Sequence, residues 1–233
     1  MTNITTDLSS LPVLLGDSLG DTGTDLAEIA IDSVLKDGAL KDVPIVGAIV
    51  GFCKLGISIR ERNLLKQTLE FINSFNAGAI DPIRLEKYRD EIRSNPKKTE
   101  KELGRCLLIM SSTIEDVHSR LLGHLFNSYV RGSISWDKFV ELSDATQRLF
   151  VEDIRHLKEI DRNPQEYVGV KKGNAYNYFR LQSIGFLTSG TGVFDLDEDS
   201  SDSGGVDLDA NVFTISPFGR TFIEKSGLRQ VEV

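Results

Sequence analysis

The chain has 233 residues, enough for one large domain or two small ones. With 40% hydrophobic and 27% charged residues it can bury a core, and its formal charge of −8 argues against a generic nucleic-acid or anionic-lipid coat, because phosphate attraction needs local positive potential. Only Cys53 and Cys106 are present, without CxxC spacing, which fits a reducing cytoplasm and argues against a disulfide framework or a structural zinc site.

Residues 1–23, rich in Ser, Thr, Gly and Asp, read as a flexible acidic arm with one apolar cluster, Leu11 to Leu15. The first residues carry neither the basic cluster nor the apolar core of a targeting signal, so none is expected. A helical region over 24–143 follows. Asp25 and Glu28 have capping-box spacing, Leu26, Ile29, Ala30 and Val34 share a face, and Gly38 marks the stop.

The most apolar stretch, Val43 to Ile59, reads VPIVGAIVGFCKLGISI. Pro44 suits a first helical turn, where its missing N–H costs nothing. Lys54, two residues after Phe52, interrupts a run that is otherwise apolar all round and shorter than the roughly 20 residues needed to span a bilayer. Gly47 and Gly51 have the small-xxx-small spacing that lets two helix backbones approach closely. Two readings stand: a buried core helix or oligomer seam, and a short membrane-seeking segment held out of lipid until triggered. Residues 1–45 hold eight acidic residues against Lys36 and Lys41, the reverse of a basic amphipathic anchor.

From Ile59 the pattern is helical, with Leu64, Leu65, Leu69, Ile72 and Phe75 as its stripe and Asn76-Ala77-Gly78 as its end. Asp81-Pro82 opens a charged helix to about Arg93, and Asn95-Pro96 breaks the chain again. Thr99 and Glu102 have capping-box spacing before what reads as the longest helix. Its apolar positions Leu103, Leu107, Met110, Ile114, Val117, Leu121 and Leu125 predict a coiled-coil-like seam. A helix around Trp136 and Phe139 and another from Asp144 complete the region, and no strand is expected before residue 186.

The grammar changes at Asp144. The helix from there to residue 161 is apolar at Phe150, Ile154, Leu157 and Ile160. Asn174 to Ile184 forms a second helix, with Ala175, Tyr178, Leu181 and Ser183–Ile184 inward. Phe186-Leu187-Thr188 begins a strand, Val212 to Ile215 a second, and Pro217-Phe218-Gly219 opens a helix through Lys225. Helix, helix, hairpin and helix is the winged helix-turn-helix order, predicting a winged-helix (α+β) domain over 144–233, centred on 144–227, in a mainly α protein. The second helix would present Tyr176, Asn177, Arg180 and Gln182 to solvent, preceded by Lys171, Lys172 and Asn174. These residue types suit nucleic acid: Lys and Arg for phosphate, Asn and Gln for base edges, Tyr for stacking. They equally suit the plain polar face of a structural helix. The wing insert, Asp195 to Asp209, holds seven carboxylates and no base, and lacks the glycine and terminal glutamate of a calcium loop.

No catalytic residue, cofactor or metal is expected. His118 and His124 are not spaced to share a helix face, and neither a glycine-rich phosphate loop nor a G-x-S-x-G motif occurs. Neighbouring carboxylates such as Glu115-Asp116 and Glu152-Asp153 point apart on a helix.

The segments LKDVPIVGAIVG and GFL…FTISPFGRTF, joined by a charged helical middle, resemble bacterial Abi-alpha-like abortive-infection proteins, and more narrowly the membrane-acting effectors of the Hailong anti-phage system. The resemblance implies a homotetramer, cytoplasmic while inhibited, whose sequestered apolar helices enter the inner membrane on release. It also implies control by a single-stranded oligodeoxynucleotide from a partner nucleotidyltransferase. Val43–Ile59 would then be the membrane element and Lys171–Gln182 the ligand face. The residues alone also admit a cytoplasmic winged-helix transcriptional regulator and a helical scaffold contacting protein only.

Overall fold

The computed structural model describes residues 59–162, 175–191 and 211–232. The expectations for the acidic arm, for Pro44, Gly47, Gly51, Phe52 and Lys54, for Lys171, Lys172 and Asn174, and for the 195–209 insert lie outside the described residues. What is described is mainly α, with one small two-stranded sheet. The chain divides into two units, Met1–Ser143 and Asp144–Val233.

In the first unit, helix α1 (Ile59–Ala77) packs along helix α5 (Asp116–Val130). Leu69, Ile72 and Phe75 from one, and Leu121, Leu122, Leu125 and Phe126 from the other, are buried. Each such side chain contributes roughly 1.5–3 kcal/mol through burial. The backbones meet at Gly123, where an added Cβ would stand 2.4 Å from the Phe71 carbonyl oxygen. Helix α2 (Pro82–Ser94) starts on Asp81, whose side chain accepts from the Arg84 N–H, and Pro82 occupies the first turn.

The expected long seam from Leu103 to Leu125 is broken. Helix α3 (Pro96–Thr99) runs through a π-helical segment, Glu100–Gly104, into helix α4 (Arg105–Ser112), and the chain is extended at Thr113 and Glu115 before α5 begins. The cause lies in α1. Asn63 Nδ2 donates to the Thr113 carbonyl at 2.7 Å, and Gln67 Nε2 donates to the Ile114 carbonyl at 2.9 Å and to Asp116 Oδ1 at 3.1 Å. Those amides satisfy carbonyls that a terminated helix leaves open, and Ile114 stands exposed instead of buried in a seam. Nor do Thr99 and Glu102 form a capping box. The Thr99 hydroxyl donates to the Ile92 carbonyl at 2.6 Å, and Glu102 accepts from the Tyr88 hydroxyl at 3.1 Å and the Tyr129 hydroxyl at 2.7 Å.

Helix α6 (Trp136–Gln147) carries the boundary between the units, and helix α7 (Val151–Arg162) follows it. The single helix expected from Asp144 is therefore two. Leu149 is buried in the break, and the Asp153 carboxylate accepts from the Phe150 N–H at 2.9 Å, the returning arm of a capping box that starts α7 afresh.

In the second unit, helix α8 (Ala175–Ile184) ends at Gly185, whose φ of 98° lets the Gly185 and Phe186 N–H groups turn back to the Gln182 and Leu181 carbonyls. Strands β1 (Leu187–Thr191) and β2 (Asn211–Ile215) pair antiparallel, Leu187 opposite Ile215 and Thr191 opposite Asn211. Ser216 caps helix α9 (Pro217–Lys225) by accepting from the Gly219 N–H. Ile154, Leu157, Leu181, Phe186, Phe213 and Phe222 form the buried centre.

Candidate nucleic-acid interface

Helix α8 places side chains three, four and seven positions apart on one face, so Tyr176, Phe179, Arg180 and Ser183 share a side. The opposite side is core: Leu181 and Tyr178 are buried, and so is Asn177, at 1% exposure. That corrects the expectation that Asn177 faces solvent. Asn177 lies one turn before Leu181 and is drawn inward with it, where its Oδ1 accepts from Arg180 Nη2 at 2.8 Å.

Arg180 is held on several sides. Its Nε donates to Asp153 Oδ2 at 2.7 Å and its Nη2 donates to Asp153 Oδ1, a fork-to-fork pairing with a fully buried carboxylate. Its guanidinium carbon lies 4.5 Å from the centre of the Phe150 ring and 5.6 Å from that of Tyr176. The hydrogen bond to Asp153 is the main reason the guanidinium is pushed above its ordinary pKa. Drawing the guanidinium away from Asp153 would leave that carboxylate buried without its cation, a loss of about 3–5 kcal/mol. A hydrogen bond to a charged group returns roughly 1.5–3 kcal/mol. Arg180 is a fixture of the face, held on Asp153 through Nε and Nη2.

Around this fixture the large exposed side chains are aromatic. Phe150 is 60% exposed, Tyr176 61% and Phe179 45%. The sequence pattern puts Phe150 inward on a continuous helix, and the break before α7 turns it outward. Phe179, steadied edge-on against Phe213 at 5.3 Å, carried no sequence signal beyond its place three residues after Tyr176. Gln182 is half-buried and its amide donates to Ser189 Oγ at 2.8 Å, tying the helix to β1. Of the expected site residues described, Tyr176 alone presents an open ring, Arg180 joins it as a clamped plane, and Gln182 serves the hairpin.

Among the described residues elsewhere, Cys106 and Tyr88 are buried and His124 is half-buried. Burial pushes the Cys106 thiol and the Tyr88 hydroxyl up, Glu102 adding to the second, and pushes His124 down. His156 Nδ1 lies 2.7 Å from the Glu152 carbonyl oxygen, with its ring edge-on to Tyr178. Among the described residues no group of His, Cys, Asp and Glu is arranged to hold a metal ion, and no helix is long and apolar enough to cross a membrane. No protein-family model, curated protein or solved structure matches the chain.

Proposed function

We propose that the chain is an anti-phage abortive-infection effector, membrane-disrupting or channel-forming, whose state is set by a single-stranded DNA oligonucleotide bound on its C-terminal unit. The observation that carries this reading is the planar, exposed face of α8, in which Phe150, Tyr176 and Phe179 surround a charge-compensated guanidinium. Stacking on aromatic rings is how single strands are held without base-edge readout. The unit itself is read as a winged helix, on the order α7, α8, β1, β2, α9.

The runner-up, a winged-helix transcriptional regulator, needs α8 to read base edges in a major groove. Buried Asn177 and hairpin-bonded Gln182 take away the amides it would use. A single strand, whose bases can splay out, asks less of edges and more of rings.

The membrane half of the reading rests on the apolar, glycine-spaced run from Val43 to Ile59 and on the resemblance to Hailong effectors. In this scheme the protein is a homotetramer, cytoplasmic while inhibited and at the inner membrane when active. A partner nucleotidyltransferase supplies the oligonucleotide, whose unequal affinity for the two assemblies shifts the population. The chain has no catalytic role of its own in it, and takes no cofactor. Dye release from phosphatidylethanolamine/phosphatidylglycerol vesicles, with and without a short oligothymidine, tests it. Wild type should release dye in one ligand state and not the other, and Gly51→Leu should blunt that release. Wild type and Gly51→Leu equally inert in every ligand state would remove the membrane claim.

A further inference from the structure

We infer that the end of the first unit where Leu108 and Ile114 stand exposed is the docking site of the chain's own apolar run, the stretch that leads from Val43 into Ile59. The inference goes beyond the reading above and does not depend on it: the docking is intramolecular and holds whether or not the run ever enters lipid.

The core of the first unit thins toward the start of α1. Leu69, Ile72 and Phe75 are buried, whereas Leu64 and Leu65, nearer the first turn, are only half-buried. The segment packed on those first turns is open too. Asn63 donates to the Thr113 carbonyl at 2.7 Å and Gln67 to the Ile114 carbonyl at 2.9 Å, yet the Ile114 side chain is 78% exposed. On α4, which also packs on α1, Leu107 is half-buried and Leu108 is 73% exposed. Aliphatic surface gathered at one end of a core gains by being covered. The chain itself delivers the cover to this end, because VPIVGAIVGFCKLGISI runs directly into α1. Even fully extended, the six residues from Cys53 to Ile59 reach no farther than about 22 Å, so the middle of the run stays close by. A tethered segment docks at high effective concentration and without the loss of translational freedom that a second copy would incur. Charge agrees as well: Lys54 is the only charged residue of the run, and Glu115, beside Ile114, is exposed.

The two cysteines supply the test within one molecule: Cys53 lies in the run, and Cys106 is buried in the core of the first unit. The full chain, free of lipid and nucleic acid, is alkylated with N-ethylmaleimide, and each cysteine is followed by mass spectrometry. Cys53 should react at least about tenfold more slowly than in the urea-unfolded chain, since reaction then waits on local opening. Ile114→Ser should speed Cys53 about tenfold, the effect of losing one buried aliphatic contact. Cys106 should stay protected in that variant, which checks the fold. Ile83→Ser should leave both rates unchanged. Ile83 is 81% exposed and sits at the opposite end of α5, where neighbouring Arg84 donates to the Val130 carbonyl. A wild-type Cys53 that reacts as fast as in the unfolded chain, or an Ile114→Ser variant that matches wild type, overturns the docking. Protection that fades on dilution assigns the cover to a second copy and overturns it as well. None of these results bears on dye release, which tests the membrane reading separately.

Discussion

The two units both bury carboxylates, and put them to different use. In the first unit Glu102, 4% exposed, accepts from the hydroxyls of Tyr88 and Tyr129, with the Lys98 ammonium 3.6 Å away, within a cluster that includes Phe126, Trp136 and Phe139. Among its described residues the aromatic rings turn inward, and the large apolar side chains left exposed are the aliphatic Ile83, Leu108 and Ile114. In the second unit Asp153 is matched by Arg180, and through it fixes a surface on which the exposed apolar groups are Phe150, Tyr176 and Phe179. A buried charge in one unit locks a core; in the other it sets out a surface. The contrast teaches where to look for function: the first unit hides its polar network, and the second spends one to hold planar groups against water.

The sharpest way to break that contrast is Arg180→Ala. It strands Asp153 without its partner, and urea unfolding should show a loss of about 3–5 kcal/mol. A loss near zero would mean that Asp153 is compensated from elsewhere and that Arg180 is free to serve a ligand. Next in size is Glu102→Gln. A carboxylate can accept from both tyrosine hydroxyls, whereas an amide offers one oxygen and an NH2 group in its place, so a loss of about 1–3 kcal/mol is expected. If Glu102→Gln costs more than Arg180→Ala, the ranking of the two networks is reversed.

These two networks also mark how far the sequence could be read. The strands near 187 and 212, the helix opening at Pro217 and the helix boundaries at Asp81-Pro82 and Asn95-Pro96 follow from local signals, because glycine, proline and capping side chains act within a few residues of themselves. The break at Thr113–Glu115 does not. Its cause is Asn63 and Gln67, distant in sequence, whose amides take up the exposed carbonyls, so an unbroken apolar rhythm concealed a helix end. The π-helical segment at Glu100–Gly104 is equally silent, since its identity lies in backbone pairing rather than in residue type. On the candidate face, Tyr176 was legible from helical periodicity. The spacing of Asn177 to Leu181 points inward, while its residue type suggests the outer face. The break that the Asp153 cap creates conceals the exposure of Phe150, and the pairing of Arg180 with a buried carboxylate in another helix leaves no trace in the residues beside it.

A smaller effect separates the units by pH. Burial lowers the pKa of His124 from its ordinary 6.5, so the folded first unit prefers the neutral ring. The unfolded chain gains its proton first as pH falls, so the contribution is complete above about 6.5, is lost between there and the lower folded value, and then levels off. His124→Gln should flatten that part of the stability profile by a modest amount. A profile unchanged by the substitution would show that the ring is better hydrated than its surroundings suggest. On the acid side, Arg229 holds Asp161 below the usual carboxylate range, so this pair supports the second unit above that range and its support fades as pH falls through it.

The account turns on the second unit's face being made for single strands. Competition between a single strand and a duplex of the same sequence, read by anisotropy across a salt series, tests this most directly. The single strand should win by about tenfold or more, with a shallow salt slope, because rings need bases that are free to stack. A duplex that binds as tightly or tighter, with a steep slope, would contradict it and return α8 to the major groove.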